Sequence, residues 1–253
     1  MTAAVPTAAV LLIGDEILSG RTKDKNLGFI ADYLTALGID LKEARAVPDI
    51  EAEIVAALNA LRARYTYVFT TGGIGPTHDD ITADAVGKAF GVPVEHDPDA
   101  VSILLAHFKS IGREPNEARM RMARVPQGAT LIENPVSRAP GFRIGNVFVM
   151  AGIPKVMQAM LEAAAPQLSR GVPMASRAIT VQSGEGDLAK PLGEIQARYP
   201  LVIIGSYPFE SPTGFAANLV LRSRDQAALA AATEDVIAMA EALTKEGKAR
   251  GWE

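Results

Sequence analysis

Three short strand-like segments, separated by two stretches of helical periodicity, fill the first seventy residues and restrict the folds open to this chain. Residues 8–13 are apolar without interruption and are closed by Gly14, the pattern of a strand covered on both faces. Over 26–37, Leu27, Ile30, Leu34 and Leu37 recur at helical spacing, and Gly38 is placed to end the helix. Residues 39–47 read as a second strand, Ile54, Leu58 and Leu61 mark the next helix, and Tyr67-Val68-Phe69 marks a third buried strand. Strand, helix, strand, helix, strand in this order predicts an α/β fold, a doubly wound and mostly parallel sheet with helices on both faces.

Further along, helices are expected over 82–90, 99–110 and 153–168, with 113–123 polar and compatible with helix. Residues 142–150 suggest two short strands around a Gly145-Asn146 turn. Beyond Gly171-Val172-Pro173, strands near 177–182, 201–206 and 216–222 and helices near 188–198 and 226–245 give a β-α-β-β-α order. The division expected is a main α/β domain over 1–172 and a small C-terminal α+β subdomain over 173–253, with 250–253 a frayed end.

Composition removes several chemistries. The absence of cysteine excludes disulfides, thiolate catalysis, zinc–thiolate sites and iron–sulfur clusters. It also fits a reducing, cytoplasmic location. A net charge of −4 argues against a protein that tracks nucleic-acid phosphates. The apolar opening lacks the basic start of a signal peptide and meets Asp15 and Glu16 at once, and no apolar run has the ~18 residues that span a bilayer.

In a doubly wound sheet, ligands bind at the carboxyl ends of the strands. There the first strand offers Gly14-Asp15-Glu16, the second Pro48-Asp49, and the third Thr70-Thr71-Gly72-Gly73-Ile74-Gly75-Pro76-Thr77-His78-Asp79-Asp80. Gly72, Gly73 and Gly75 can take positive φ and let backbone N–H groups approach an anion. Thr77 adds a hydroxyl, and the helix that follows presents its positive end. No Lys-Ser/Thr pair follows and no G-x-G-x-x-G spacing exists, so neither a Walker A loop nor a dinucleotide fingerprint is present. A plain strand-to-helix turn is the competing reading of the glycines. The adjacent Asp79-Asp80 pair suits a hard cation such as Mg²⁺, or caps a helix starting near Ile81. Asp49 suits a general base or, after Pro48, a helix cap. His78, His96 and His107 have no metal-ligand spacing. Arg119, Arg121 and Arg124 form a small basic group, read first as a solvated helix face, with contact to ligand phosphates as the alternative. The turn-rich 134–142 segment and Ala151-Gly152-Ile153-Pro154 are weaker candidates.

Taken together, Gly14-Asp15-Glu16-Ile17-Leu18-Ser19-Gly20, Asp24-Lys25-Asn26, Asp49 and Thr71–Thr82 resemble the molybdopterin-binding domain of Mog-like cofactor-biosynthesis proteins. The long loop and Asn134…Ala139-Pro140-Gly141-Phe142 are similar to the CinA branch of that family. Ser183-Gly184-Glu185-Gly186-Asp187 and Gly205-Ser206-Tyr207-Pro208 are similar to the related domain of eukaryotic FAD synthases. Ala151 departs from the family, where Pro commonly precedes the glycine matching Gly152. The resemblance implies a phosphorylated nucleotide or molybdopterin as ligand, a homo-oligomer, and no nucleic-acid or membrane partner. The CinA branch implies metal-dependent hydrolysis of ADP-ribose, and the FAD synthase branch hydrolysis of FAD. Molybdopterin binding or adenylyl transfer, and a non-catalytic nucleotide-binding module, are the other readings. Nicotinamide mononucleotide deamidation is not expected, because the chain stops before the domain that performs it in CinA.

The implied roles are these. Asp80 and Asp79 hold a divalent cation (Mg²⁺, Mn²⁺, Co²⁺ or Ni²⁺), and Asp49 or Asp15 orients or deprotonates water. The ligand meets Gly14, Glu16, Asn26, Thr71, Gly72, Gly73, Gly75, Pro76, Thr77, Ser137 and Gly152.

Overall fold

A computed structural model describes residues 5–212 and 214–249; the expected frayed end, 250–253, lies outside them. The chain divides into two compact units, residues 1–171 and 172–253.

In the first unit the elements run β1 (Thr7–Ile13), α1 (Asp15–Leu18), α2 (Asn26–Ala36), β2 (Asp40–Val47), α3 (Glu51–Arg62), β3 (Tyr67–Thr71) and α4 (Thr82–Phe90). They continue as β4 (Val94–His96), α5 (Pro98–Ser110), α6 (Glu117–Met120), β5 (Arg124–Pro126), β6 (Thr130–Ile132), β7 (Gly141–Ile144), β8 (Val147–Met150) and α7 (Pro154–Ala164). Six strands form one sheet in the order β2-β1-β3-β8-β7-β6. The β1–β2, β1–β3 and β3–β8 pairs are parallel, and β7 pairs antiparallel with both β8 and β6.

Alternate residues of the inner strands feed opposite cores, which is why β1 has no polar residue after Thr7. Ala8, Val10, Leu12, Phe69, Phe148 and Met150 pack with α2 and α7. Ala9, Leu11, Ile13, Val68, Val147 and Val149 pack with α3 and α4. On the first side Phe69 and Phe148 are fully buried and stacked at 5.2 Å between ring centres. Burying two such rings contributes about 2–3 kcal/mol each.

Strand order reverses at β1, with β2 on one flank and β3 on the other, so the crevice of this sheet opens above β1 and β3. Register fixes what lies there. Ile13 pairs with Val47, Leu12 with Thr71, and Thr71 with Met150. Segments beginning at Gly14, Pro48, Gly72 and Ala151 therefore leave one rim side by side.

Differences from the sequence reading have simple causes. The polar 113–123 stretch forms only α6 and a 3₁₀ turn at Arg121–Ala123, too few residues to bury a helical face. The three-residue strands β4, β5 and β6 are too short to show a period.

The second unit is built from β9 (Ala175–Val181), α8 (Glu185–Arg198), β10 (Ile203–Ser211), β11 (Gly214–Ser223) and α9 (Gln226–Ala249). Its antiparallel sheet has the order β10-β11-β9. The sheet packs Leu219, Leu221 and Val181 against Leu188, Leu192 and Val236 of the two helices. β10 runs through Pro208 to Ser211, past the expected end at Ser206, because an edge strand has no outer partner that needs the missing N–H.

Candidate functional site

At the end of β1 the chain turns at once into α1. The Glu16 carboxylate folds back over Gly14, where a Cβ would stand 2.6 Å from Glu16 Oε2. The Asp15 amide donates to Asp49 Oδ2 at 2.9 Å, tying the β1 loop to the β2 loop. Asp49 therefore does not cap α3, whose N-cap is Ile50. Burial pushes the Asp49 carboxyl above its ordinary value, with the Asp15, Glu16 and Asp79 carboxylates adding to the effect and the Asp15 N–H opposing it. A carboxyl so placed is a better proton acceptor than a solvated aspartate.

The β3 loop carries the tightest geometry. Gly72 has φ +103° and a Cβ there would lie 2.1 Å from the Ile13 carbonyl oxygen. Gly73 has φ +66° and its Cβ would meet Thr82 Oγ1 at 2.1 Å. Gly75, expected to share this conformation, does not; it is small because Asp80 packs on it, 2.7 Å from where its Cβ would be. The loop closes on α4 through Thr82, which donates from Oγ1 to Gly72 O and from N to Gly73 O, both at 3.0 Å.

Inside the loop the amides converge on one carboxylate. Gly75 N donates to Asp80 Oδ1 at 2.6 Å, and Thr77 N to Asp80 Oδ2 at 2.7 Å. The Thr77 hydroxyl also donates to Oδ2. Neither Asp79 nor Asp80 caps α4, whose N-cap is Ile81 with no side-chain bond. Asp80 thus lies in the cradle of donors that the sequence assigns to an anion. Asp79, Pro76 and His78 are exposed, with His78 Nδ1 3.9 Å from Asp79 Oδ1.

On the α2 side of the rim a small cavity of about 60 Å³ is lined by Glu16, Thr22, Lys23, Asn26, Thr71 and Gly152, among others. Asn26 is buried and donates from Nδ2 to the Gly152 carbonyl at 2.8 Å, while its Oδ1 has no partner among the described residues. Asp24 supports it by accepting from the Asn26 and Leu27 amides at 3.2 and 2.9 Å. Gly152 abuts Gly72, whose Cα would be 3.3 Å from a Cβ at 152. Lys23 and Lys25 also line this cavity and were not singled out from sequence; their place beside Asp24-Lys25-Asn26 was the available signal.

Ser137 is set in a turn organised by buried Asn134. Its Oγ accepts from Asn134 Nδ2 at 2.6 Å, and its amide donates to Asn134 Oδ1 at 3.2 Å. It lines neither this cavity nor the one beside Gly73 and Gly75.

Among the described residues, no group of three His, Asp or Glu side chains converges to enclose a metal ion. The donors at the rim are carboxylate oxygens, and burial first, with their mutual repulsion adding to it, raises Asp49. That chemistry fits a hard cation taking few protein oxygens and completing its shell from ligand phosphates and water.

Comparison with known proteins places this geometry. Residues 9–170 match the family described as a probable molybdopterin binding domain, and residues 173–246 match the FAD synthase middle domain. The chain belongs to the molybdopterin-binding-domain family. It is 36% identical over 213 residues to a protein of Pyrobaculum calidifontis, covering 81% of each chain. It is 43% identical over 158 residues to a CinA-like protein of Citrifermentans bemidjiense, covering 61% of this chain and 38% of that one. The crystal structure of the protein CinA from Thermoplasma acidophilum superposes with a TM-score of 0.60 at 34% identity, over 64% of this chain and 98% of that one. Among the described residues no helix is long and apolar enough to cross a membrane.

Proposed function

We propose that this chain hydrolyses the pyrophosphate bridge of an ADP-containing dinucleotide, ADP-ribose or FAD, with a divalent cation. The observation that carries the reading is the Gly72–Asp80 loop, whose amides already converge on an anion, beside a carboxyl raised by its surroundings. The matches to CinA-like proteins and to the FAD synthase middle domain support that substrate class.

A phosphate entering the cradle displaces the Asp80 carboxylate, because two anions cannot share the Gly75 and Thr77 donors. Asp80, with Asp79, would then hold the cation, which when bound neutralises charge on the phosphoryl group. Asp49 accepts a proton from water as the water oxygen bonds to phosphorus and the P–O bond of the bridge breaks. The products are AMP and the phosphorylated other half, and the proton taken by Asp49 returns to solvent.

The test is AMP release from ADP-ribose and FAD by the purified protein with Mg²⁺, Mn²⁺, Co²⁺ or Ni²⁺. AMP formation that disappears in Asp49→Asn and Asp80→Asn supports the reading. No AMP with any metal from folded protein refutes it and leaves the pterin-binding reading, which the family match favours.

A further inference from the structure

A second cavity opens on the α4 side of the glycine loop, against the 121–124 segment. Three arginines lie close in the chain here, and the structure gives them different surroundings. Arg124 forms a bidentate pair with Asp84, Nη1 to Oδ2 at 2.9 Å and Nη2 to Oδ1 at 2.6 Å. Arg119 donates to the Glu114 carbonyl and lies over the Phe108 ring, 5.4 Å from its centre. Arg121 does neither. It lines the cavity with Gly73, Gly75 and Asp80, and its Nε is buried without an acceptor among the described residues.

A guanidinium N–H removed from water and left unbonded is uncommon, since nothing offsets its desolvation. Salt bridges among the described residues pair Arg124 with Asp84 and leave Arg121 with no carboxylate partner. The other acidic group at the cavity, Asp80, is already held by the loop donors. The cavity is about 20 Å³, room for one oxygen-sized group and not for a base or sugar. A guanidinium that lines the same small space as Gly73 and Gly75 is suited to a phosphoryl oxygen.

We propose that Arg121 is a ligand-binding residue whose guanidinium pairs with the phosphate entering the Gly75–Thr77 cradle, so that a pyrophosphate is held between backbone amides and a guanidinium. The solvated-face reading of this arginine is thereby replaced. The proposal rests on the loop being a phosphate site, as above, and does not require hydrolysis.

Titration calorimetry with inorganic pyrophosphate, in EDTA at low salt, tests it on wild type, Arg121→Ala, Arg121→Gln and Arg121→Lys. Loss of one charge-assisted contact predicts roughly ten- to hundredfold weaker binding in the Ala and Gln variants. The Lys variant should lose less, and the salt dependence of Kd should flatten when the charge is removed. Should the Ala variant not fold, the Gln variant keeps the side-chain stem and reads the same charge. Equal affinity in all four proteins overturns the proposal, as does wild-type protein that binds no pyrophosphate at millimolar concentration. Pyrophosphate binding that depends on Arg121, in a protein that releases no AMP, upholds it while removing the hydrolytic reading.

Discussion

Asp80→Asn should make the protein less stable and more responsive to pyrophosphate. In wild type the carboxylate accepts from Gly75 N, Thr77 N and the Thr77 hydroxyl. Hydrogen bonds to a charged acceptor contribute about 1.5–3 kcal/mol each when well shielded. Asp80 is only half-buried, and asparagine keeps one acceptor oxygen while turning an NH₂ towards the remaining donors. A net loss of about 1–3 kcal/mol follows, which for a unit of this size lowers Tm by roughly 2–10 °C. The vacated donors then become an anion site with no tethered competitor. Pyrophosphate at about a hundred times its Kd stabilises a folded state by ~2.7 kcal/mol, enough to offset most of that loss. Wild type gains less at the same concentration, because its own carboxylate must first leave. Thermal melts of both proteins in EDTA, with and without pyrophosphate, measure this directly. A variant that melts like wild type without anion, or equal shifts in the two proteins, would refute the claim that Asp80 occupies an anion cradle.

Other expectations are narrower. Gly73→Ala places a Cβ 2.1 Å from Thr82 Oγ1 at φ +66° and should cost roughly 1–3 kcal/mol in urea unfolding, with loss of ligand binding. Because the folded-state Asp49 carboxyl is raised, its stabilising contribution is complete below the unfolded value and is lost as pH rises through the folded one. Asp49→Asn should therefore be at least as stable as wild type at neutral pH, by denaturant titration. Turnover needs the ionised form, so the acid limb of the wild-type kcat/KM profile should lie above pH 3.8.

The parallel half of the fold was legible because its inner strands, β1, β3 and β8, are buried on both sides. A strand such as Ala8–Leu12 can carry no polar residue, and helices such as α2 must repeat Ile30 and Leu34 at helical spacing. The rim residues were legible because Gly14, Asp49 and Gly72 each come just after a predicted strand. What escaped were facts of three-dimensional pairing. Nothing in a row of residues says that the Asp49 carboxylate receives the Asp15 amide rather than capping α3, or that Asp80 turns back on Gly75 and Thr77. Arg119, Arg121 and Arg124 look alike in the chain, and only their surroundings distinguish them: Asp84, 40 residues away, for Arg124, and the Phe108 ring for Arg119.

The parallel register also acts as a ruler. Neighbouring strands are about 4.8 Å apart, so the ends of β2, β1, β3 and β8 mark out a shelf of roughly 14 Å. A lone phosphate covers one interval of that shelf, at the β3 loop. The intervals on either side remain for whatever the phosphate joins, Asp49 towards one end and Gly152 with Asn26 towards the other. An elongated molecule with its anionic linkage in the middle matches that spacing; a compact phosphate ester leaves most of the shelf bare.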